Sequence, residues 1–90
     1  MYVMIAYDVK VDARRVKIHN ALKDYGTRVQ FSVFECRVNL VQYLYLRHRL
    51  KKLIAPAEDS VRFYRLCQRC QTNILRIGGI APDERQTIVI

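Results

Sequence analysis

Asp8 is the first charged residue of the chain, and it directly follows the almost continuously apolar run Tyr2-Val3-Met4-Ile5-Ala6-Tyr7. A carboxylate leaving a rigid strand is held well enough to act as a ligand. One carboxylate cannot by itself hold a catalytic Mg²⁺, an ion that takes six oxygens and usually keeps several of them as water. Two copies of Asp8 meeting across a two-fold axis would supply a pair; a plain strand-ending Asp would supply nothing. Arg14 and Arg15 follow closely enough to bring positive charge to the same end of the strand. They suit a phosphate held beside a metal, or equally a solvated basic turn.

Other reactive side chains carry weaker signals. Cys67-Gln68-Arg69-Cys70 is a single CxxC pair, whereas a zinc site needs four ligands and no second pair follows. Cys36, His19 and His48 are the remaining partners, and the two histidines fall on different predicted helices. The pair also follows the last core strand instead of opening a helix after the first, unlike the thioredoxin arrangement. His19 and His48 titrate near neutral pH, but both sit mid-helix with no motif around them and read as surface or satisfied positions. Tyr and Phe residues in strands can stack on bases. Val33-Phe34-Glu35-Cys36-Arg37-Val38 lacks the Gly-rich aromatic signature of RNA-recognition sheets, and core packing accounts for these rings.

The surrounding charge narrows the class of partner. Lys and Arg total 16 against 8 Asp and Glu, a formal net charge of +8 on 90 residues. Most of these cations are arginines, whose planar fork grips phosphate in a bidentate way that lysine cannot. Nucleic acid is the expected partner. A membrane is not: the apolar run near the start is far below the roughly 20 residues a span requires, and neither predicted helix pairs a basic face with a Trp- or Phe-rich one. That run also lacks a basic leader and a cleavage site, which predicts a cytoplasmic protein with three reduced thiols.

Ninety residues make one domain, 1–90, with a single core. Tyr2 to Tyr7 predicts a central strand. Asp12 is placed to N-cap a helix with Ile18, Ala21, Leu22 and Tyr25 on one stripe, and Gly26 sits where that helix should stop. From Thr27 to Val38 the alternation changes parity. Val29, Phe31 and Val33 form the apolar set first, then Phe34, Cys36 and Val38, which predicts two strands joined by a turn or bulge near Ser32. Asn39 can cap a second helix carrying Leu40, Tyr43, Leu46, Leu50 and Leu53, ending before Pro56. A fourth strand runs from Asp59 to Leu66. No clear period follows from Cys67 to Gly79, and the tail, about 86–90, is β-prone. The order is that of an α+β, ferredoxin-like βαββαβ fold: a four-stranded antiparallel sheet with two helices on one face. An unpaired β-prone tail is an aggregation hazard, so this extra C-terminal strand is expected to pair across a dimer.

Three segments together resemble the CRISPR-associated protein 2 family, small proteins of prokaryotic adaptive immunity: Tyr7-Asp8-Val9, the stretch from Tyr25 through Arg28-Val29-Gln30-Phe31-Ser32-Val33-Phe34-Glu35 to Cys36, and Asp59-Ser60-Val61-Arg62-Phe63-Tyr64-Arg65-Leu66-Cys67. The hairpin segment is the specific part, and the similarity extends over nearly the whole chain. The resemblance implies a homodimer in which each chain contributes Asp8 to one divalent-metal site, with Mg²⁺ or Mn²⁺ as cofactor. It also implies endonuclease action on RNA or double-stranded DNA, and bridging of two dimers of the CRISPR-associated protein 1 integrase during spacer acquisition. On this reading Asp8 is catalytic ligand, Arg14, Arg15, Lys17 and Arg28 bind nucleic acid, and Tyr7, Ser32 and Phe34 support them. The expected chemistry is in-line attack of a metal-activated water on a phosphodiester, with arginines offsetting charge. No general base is evident. Two rival readings use the same residues: a DNA-binding scaffold that does no chemistry, and a toxin-like ribonuclease of the same fold that acts without the integrase.

Overall fold

Strand β1 (Tyr2–Asp8) alternates between two environments: Val3, Ile5 and Tyr7 are buried on one side, while Met4 and Ala6 are half-covered on the other. The structure is a computed structural model and describes residues 1–75 and 77. β1 lies inside the sheet, antiparallel to β3 (Val33–Arg37) and to β4 (Ser60–Leu66), and β2 (Gly26–Gln30) completes the order β2-β3-β1-β4. Helices α1 (Asp12–Lys23) and α2 (Leu40–Leu53) cover the face carrying Val3, Ile5 and Tyr7. This is the ferredoxin-like α+β arrangement the sequence predicts. The expected C-terminal strand at 86–90 lies outside the described residues.

The core is built from Val3, Ile5, Ile18, Leu22, Phe34, Cys36, Leu46 and Leu50, all essentially inaccessible to solvent. Each such aliphatic or aromatic side chain contributes about 1.5–3 kcal/mol by leaving water. Neither α1 nor α2 covers the opposite sheet face. Cross-strand pairing places Met4 beside Glu35 and Tyr64, Ala6 beside Val33 and Arg62, and Asp8 beside Ser60 on that face.

Local signals explain the element boundaries, with four corrections. Asn39 caps α2 through a reciprocal box, its Oδ1 accepting from Gln42 N at 2.8 Å while Gln42 Oε1 accepts from Asn39 N at 2.9 Å. Asp12 is not the cap of α1: Val11 holds that position, and Asp12 is the first helical residue, where its charge favours the helix start and pairs with Arg15. Gly26 is not a helix stop but opens β2, where a Cβ would lie 2.6 Å from Cys36 Sγ. Leu40 is 56% exposed, so the buried stripe of α2 is Tyr43, Leu46 and Leu50. The aperiodic stretch after β4 folds as a short helix, α3 (Gln68–Thr72). The parity change in the hairpin has two sources: a turn at Phe31-Ser32, and a bulge where Arg28 faces Phe34 but Gln30 faces Val33.

Candidate nucleic-acid and metal site at the end of the first strand

Asp8 ends β1 with its side chain 70% exposed. The pleat turns it to the face away from α1 and α2, opposite Ser60. Its nearest cation is Lys10, whose Nζ lies 3.2 Å from Asp8 Oδ2. Lys10 drew no attention in the sequence, although a Lys two residues beyond a strand-ending Asp is a recognisable signal. Among the described residues no three His, Cys, Asp or Glu side chains gather as a metal site. One chain therefore presents a hard metal ion with a single solvent-facing carboxylate, fewer oxygens than such an ion takes.

Tyr7, Ser32 and Phe34 hold the strand end in place. Tyr7 N donates to Ser32 O at 3.0 Å, pinning the end of β1 to the hairpin turn. Phe34 is fully buried, its ring 6.4 Å from that of Tyr7 and 5.3 Å from that of His19. Neither ring is placed to stack on a base. Burial raises the Tyr7 phenol, an effect partly offset by the positive charges of Arg28 and Arg15.

The basic residues divide into engaged and free. Arg14 Nε donates to Asp59 Oδ2 at 2.8 Å, and its Nη2 bonds Glu58. Asp59 is the residue whose importance the sequence concealed. Its side chain is fully inaccessible and accepts from Lys10 N at 3.0 Å and Ala55 N at 2.8 Å as well. The Arg14 guanidinium, with those two backbone donors, holds its carboxyl well below the usual carboxylate range. Arg15 is half-engaged, donating to Val9 O at 3.2 Å and pairing with Asp12. Lys17 and Arg28 are exposed, and no ion pair among the described residues engages either.

Arg15 and Arg28 line one shallow pocket of about 190 Å³ together with Tyr7, His19, Val16 and Phe31. Phe31, 76% exposed, stands at the hairpin turn. His19 thus belongs to a basic pocket, and burial with the nearby Arg28 and Lys23 charges lowers its pKa, leaving it neutral at physiological pH. Its helical position gave no hint of this, because the pocket forms only where the hairpin folds back beside α1. The arrangement suits a phosphate-bearing chain passing from the α1 flank across the hairpin.

A small antiparallel sheet with α1 and α2 on one face, a strand-end carboxylate and a basic flank define a ferredoxin-like α+β class. The family model "CRISPR associated protein Cas2" matches residues 1–74, and the chain belongs to that family. The CRISPR-associated endoribonuclease Cas2 1 of Chloroflexus aurantiacus is 47% identical over 92 residues, covering 100% of this chain and 99% of that protein. The crystal structure of Streptococcus pyogenes Cas2 at pH 6.5 superposes with a TM-score of 0.77 at 36% identity, covering 87% of this chain and all of that one. A chain from a partial Cas6-RT-Cas1–Cas2 complex superposes with a TM-score of 0.73 at 30% identity, covering 84% and 83% of the two.

Proposed function

We propose that this chain is a metal-dependent endonuclease of CRISPR adaptation that works as a homodimer on RNA or double-stranded DNA. The observation that carries the reading is the placement of Asp8, exposed on the sheet face away from α1 and α2, beyond the half-covered Met4 and Ala6. Two copies joined by that face around a two-fold axis bring two Asp8 carboxylates to one place, and a shared apolar surface adds the burial a chain of this size lacks. Such a pair would hold Mg²⁺ or Mn²⁺, which supplies a water of lowered pKa as nucleophile. Lys10 keeps positive charge beside Asp8, and Lys17, Arg15 and Arg28 bind the backbone phosphates. Arg14 serves the fold through Asp59 and orients the loop that follows Asp8.

The scaffold reading is favoured by one observation: among the described residues no group of three His, Cys, Asp or Glu side chains gathers around Asp8 to complete a metal site. On that reading the basic dimer holds duplex DNA and bridges dimers of the Cas1 integrase without cutting; resemblance to a chain from a Cas1-containing complex supports that partner. The toxin-like ribonuclease would need no integrase. Cleavage of labelled RNA and duplex DNA by the wild type and by Asp8→Ala, with Mg²⁺ and with chelator, separates them. Cutting by the wild type with metal alone supports the nuclease. Binding without cutting, equal in both proteins, leaves the scaffold.

A further inference from the structure

The two exposed cysteines lie far from Asp8. Leu66 closes β4 opposite Tyr2, so Cys67 emerges at the other end of the sheet, a strand length of roughly 20 Å away. Cys67 caps α3, Cys70 sits one turn later on the same face, and their sulfurs share a hydrogen bond at 3.4 Å. In sequence terms the pair has no evident role because it completes no zinc site. Among the described residues no third ligand-type side chain joins them, and the structure adds proximity and solvent exposure.

We propose that Cys67 and Cys70 are a redox-active dithiol that closes to an intrachain disulfide by exchange with a low-molecular-weight disulfide such as glutathione disulfide. The Cys67 thiolate attacks one sulfur of the small disulfide, whose S–S bond breaks and whose departing thiolate takes up a proton. The Cys70 thiolate then attacks Cys67 Sγ in the mixed disulfide and expels the second small thiol. Two protein thiols lose two electrons and two protons, and one small disulfide becomes two thiols. Cys67 is the attacking residue because the Cys70 N–H and thiol both stabilise its thiolate, which lowers its pKa, while Cys70 is raised by that same neighbour. The turn is also held ready: Gln71 donates to Leu66 O at 3.2 Å and accepts from Arg37 at 3.2 Å, anchoring α3 to the sheet. Cys36, in the core, takes no part.

The test equilibrates the full chain in a series of glutathione and glutathione disulfide buffers, then traps free thiols with maleimide and reads intact and peptide masses. The expected product lacks two maleimide groups, one at Cys67 and one at Cys70, carries no glutathione and migrates as a single chain without reductant. Cys70→Ser is expected to stop at a glutathione adduct on Cys67, and Cys67→Ser to form its adduct more slowly by tenfold or more. Both are surface changes, and circular dichroism reports whether either variant folds. Independent glutathione adducts on both cysteines without ring closure, or a disulfide between two chains, would overturn the proposal.

Discussion

Arg14 Nε meets Asp59 Oδ2 at 2.8 Å, joining the first turn of α1 to the residue just before β4. The carboxylate also caps Lys10 N and Ala55 N, so one buried side chain fastens three segments on the Asp8 side of the sheet. Removing one member of such a set leaves the others buried and unpaired, which costs more than the bond itself is worth.

Asp59→Asn is therefore expected to lower Tm by several degrees at neutral pH, and Arg14→Ala to do the same, with the double variant losing less than the sum. Because the folded carboxyl titrates below its ordinary 3.8, its contribution is whole above that value and is lost as pH falls through it towards the folded pKa. Urea melts of wild type and Asp59→Asn should thus converge in acid. Curves that stay equally separated at every pH would assign the loss to packing alone.

Lys17→Ala and Arg28→Ala are each expected to weaken nucleic-acid binding and to flatten the dependence of log K on log salt by about one. Fluorescence anisotropy over a salt series reads this directly. Arg14→Ala, by contrast, should show its main effect in the melt, and a slope change at Arg14 equal to that at Arg28 would refute the division into engaged and free cations.

Core substitutions should report the two-layer packing. Leu46, fully buried in α2, is expected to cost about 2–5 kcal/mol when cut to Ala. Gly26→Ala adds only a methyl, but it places that methyl against Cys36 Sγ and the β3 backbone, and overpacking of this kind costs about 1–3 kcal/mol. Denaturant unfolding of both variants checks the ranking; a neutral Gly26→Ala would mean the β2–β3 approach is looser than described.

Cys36 should be silent in native labelling. Burial and the neighbouring Glu35 push its thiol from 9.0 up to about 12, so alkylation at mildly alkaline pH is expected to mark Cys67 and Cys70 while sparing Cys36 until denaturant is added. The sign for stability follows: the contribution is whole below 9.0 and declines as pH climbs from there towards 12, because the unfolded thiol ionises first. Peptide mapping after timed alkylation decides it.

Much of the architecture was legible in the sequence because period-2 and period-3.6 patterns are local, and the strand, helix and hairpin order follows from them. Asn39 and its partner Gln42 lie three residues apart and spell a helix start. Asp59 was legible only as a strand's first residue: its partners Lys10 and Arg14 stand more than forty positions away, and nothing local distinguishes a buried Asp from an exposed one. The same distance hid the engagement of Arg14, whereas the place of His19 beside Arg28, nine residues on, depends on how β2 folds back past α1. The short helix α3 escaped because five residues are too few to show a period.

Tyr7 and Asp8 are neighbours in sequence yet face opposite sides of a strand that is paired on both edges. Any slip of β1 by one residue would drive the carboxylate into the interior and expel Ile5 and Tyr7 into water. Selection for a stable interior therefore guards the position of Asp8 without acting on Asp8 at all. The bulge lies on the outermost strand, two strands away, so this irregularity of the hairpin leaves the register of β1 against β4 untouched.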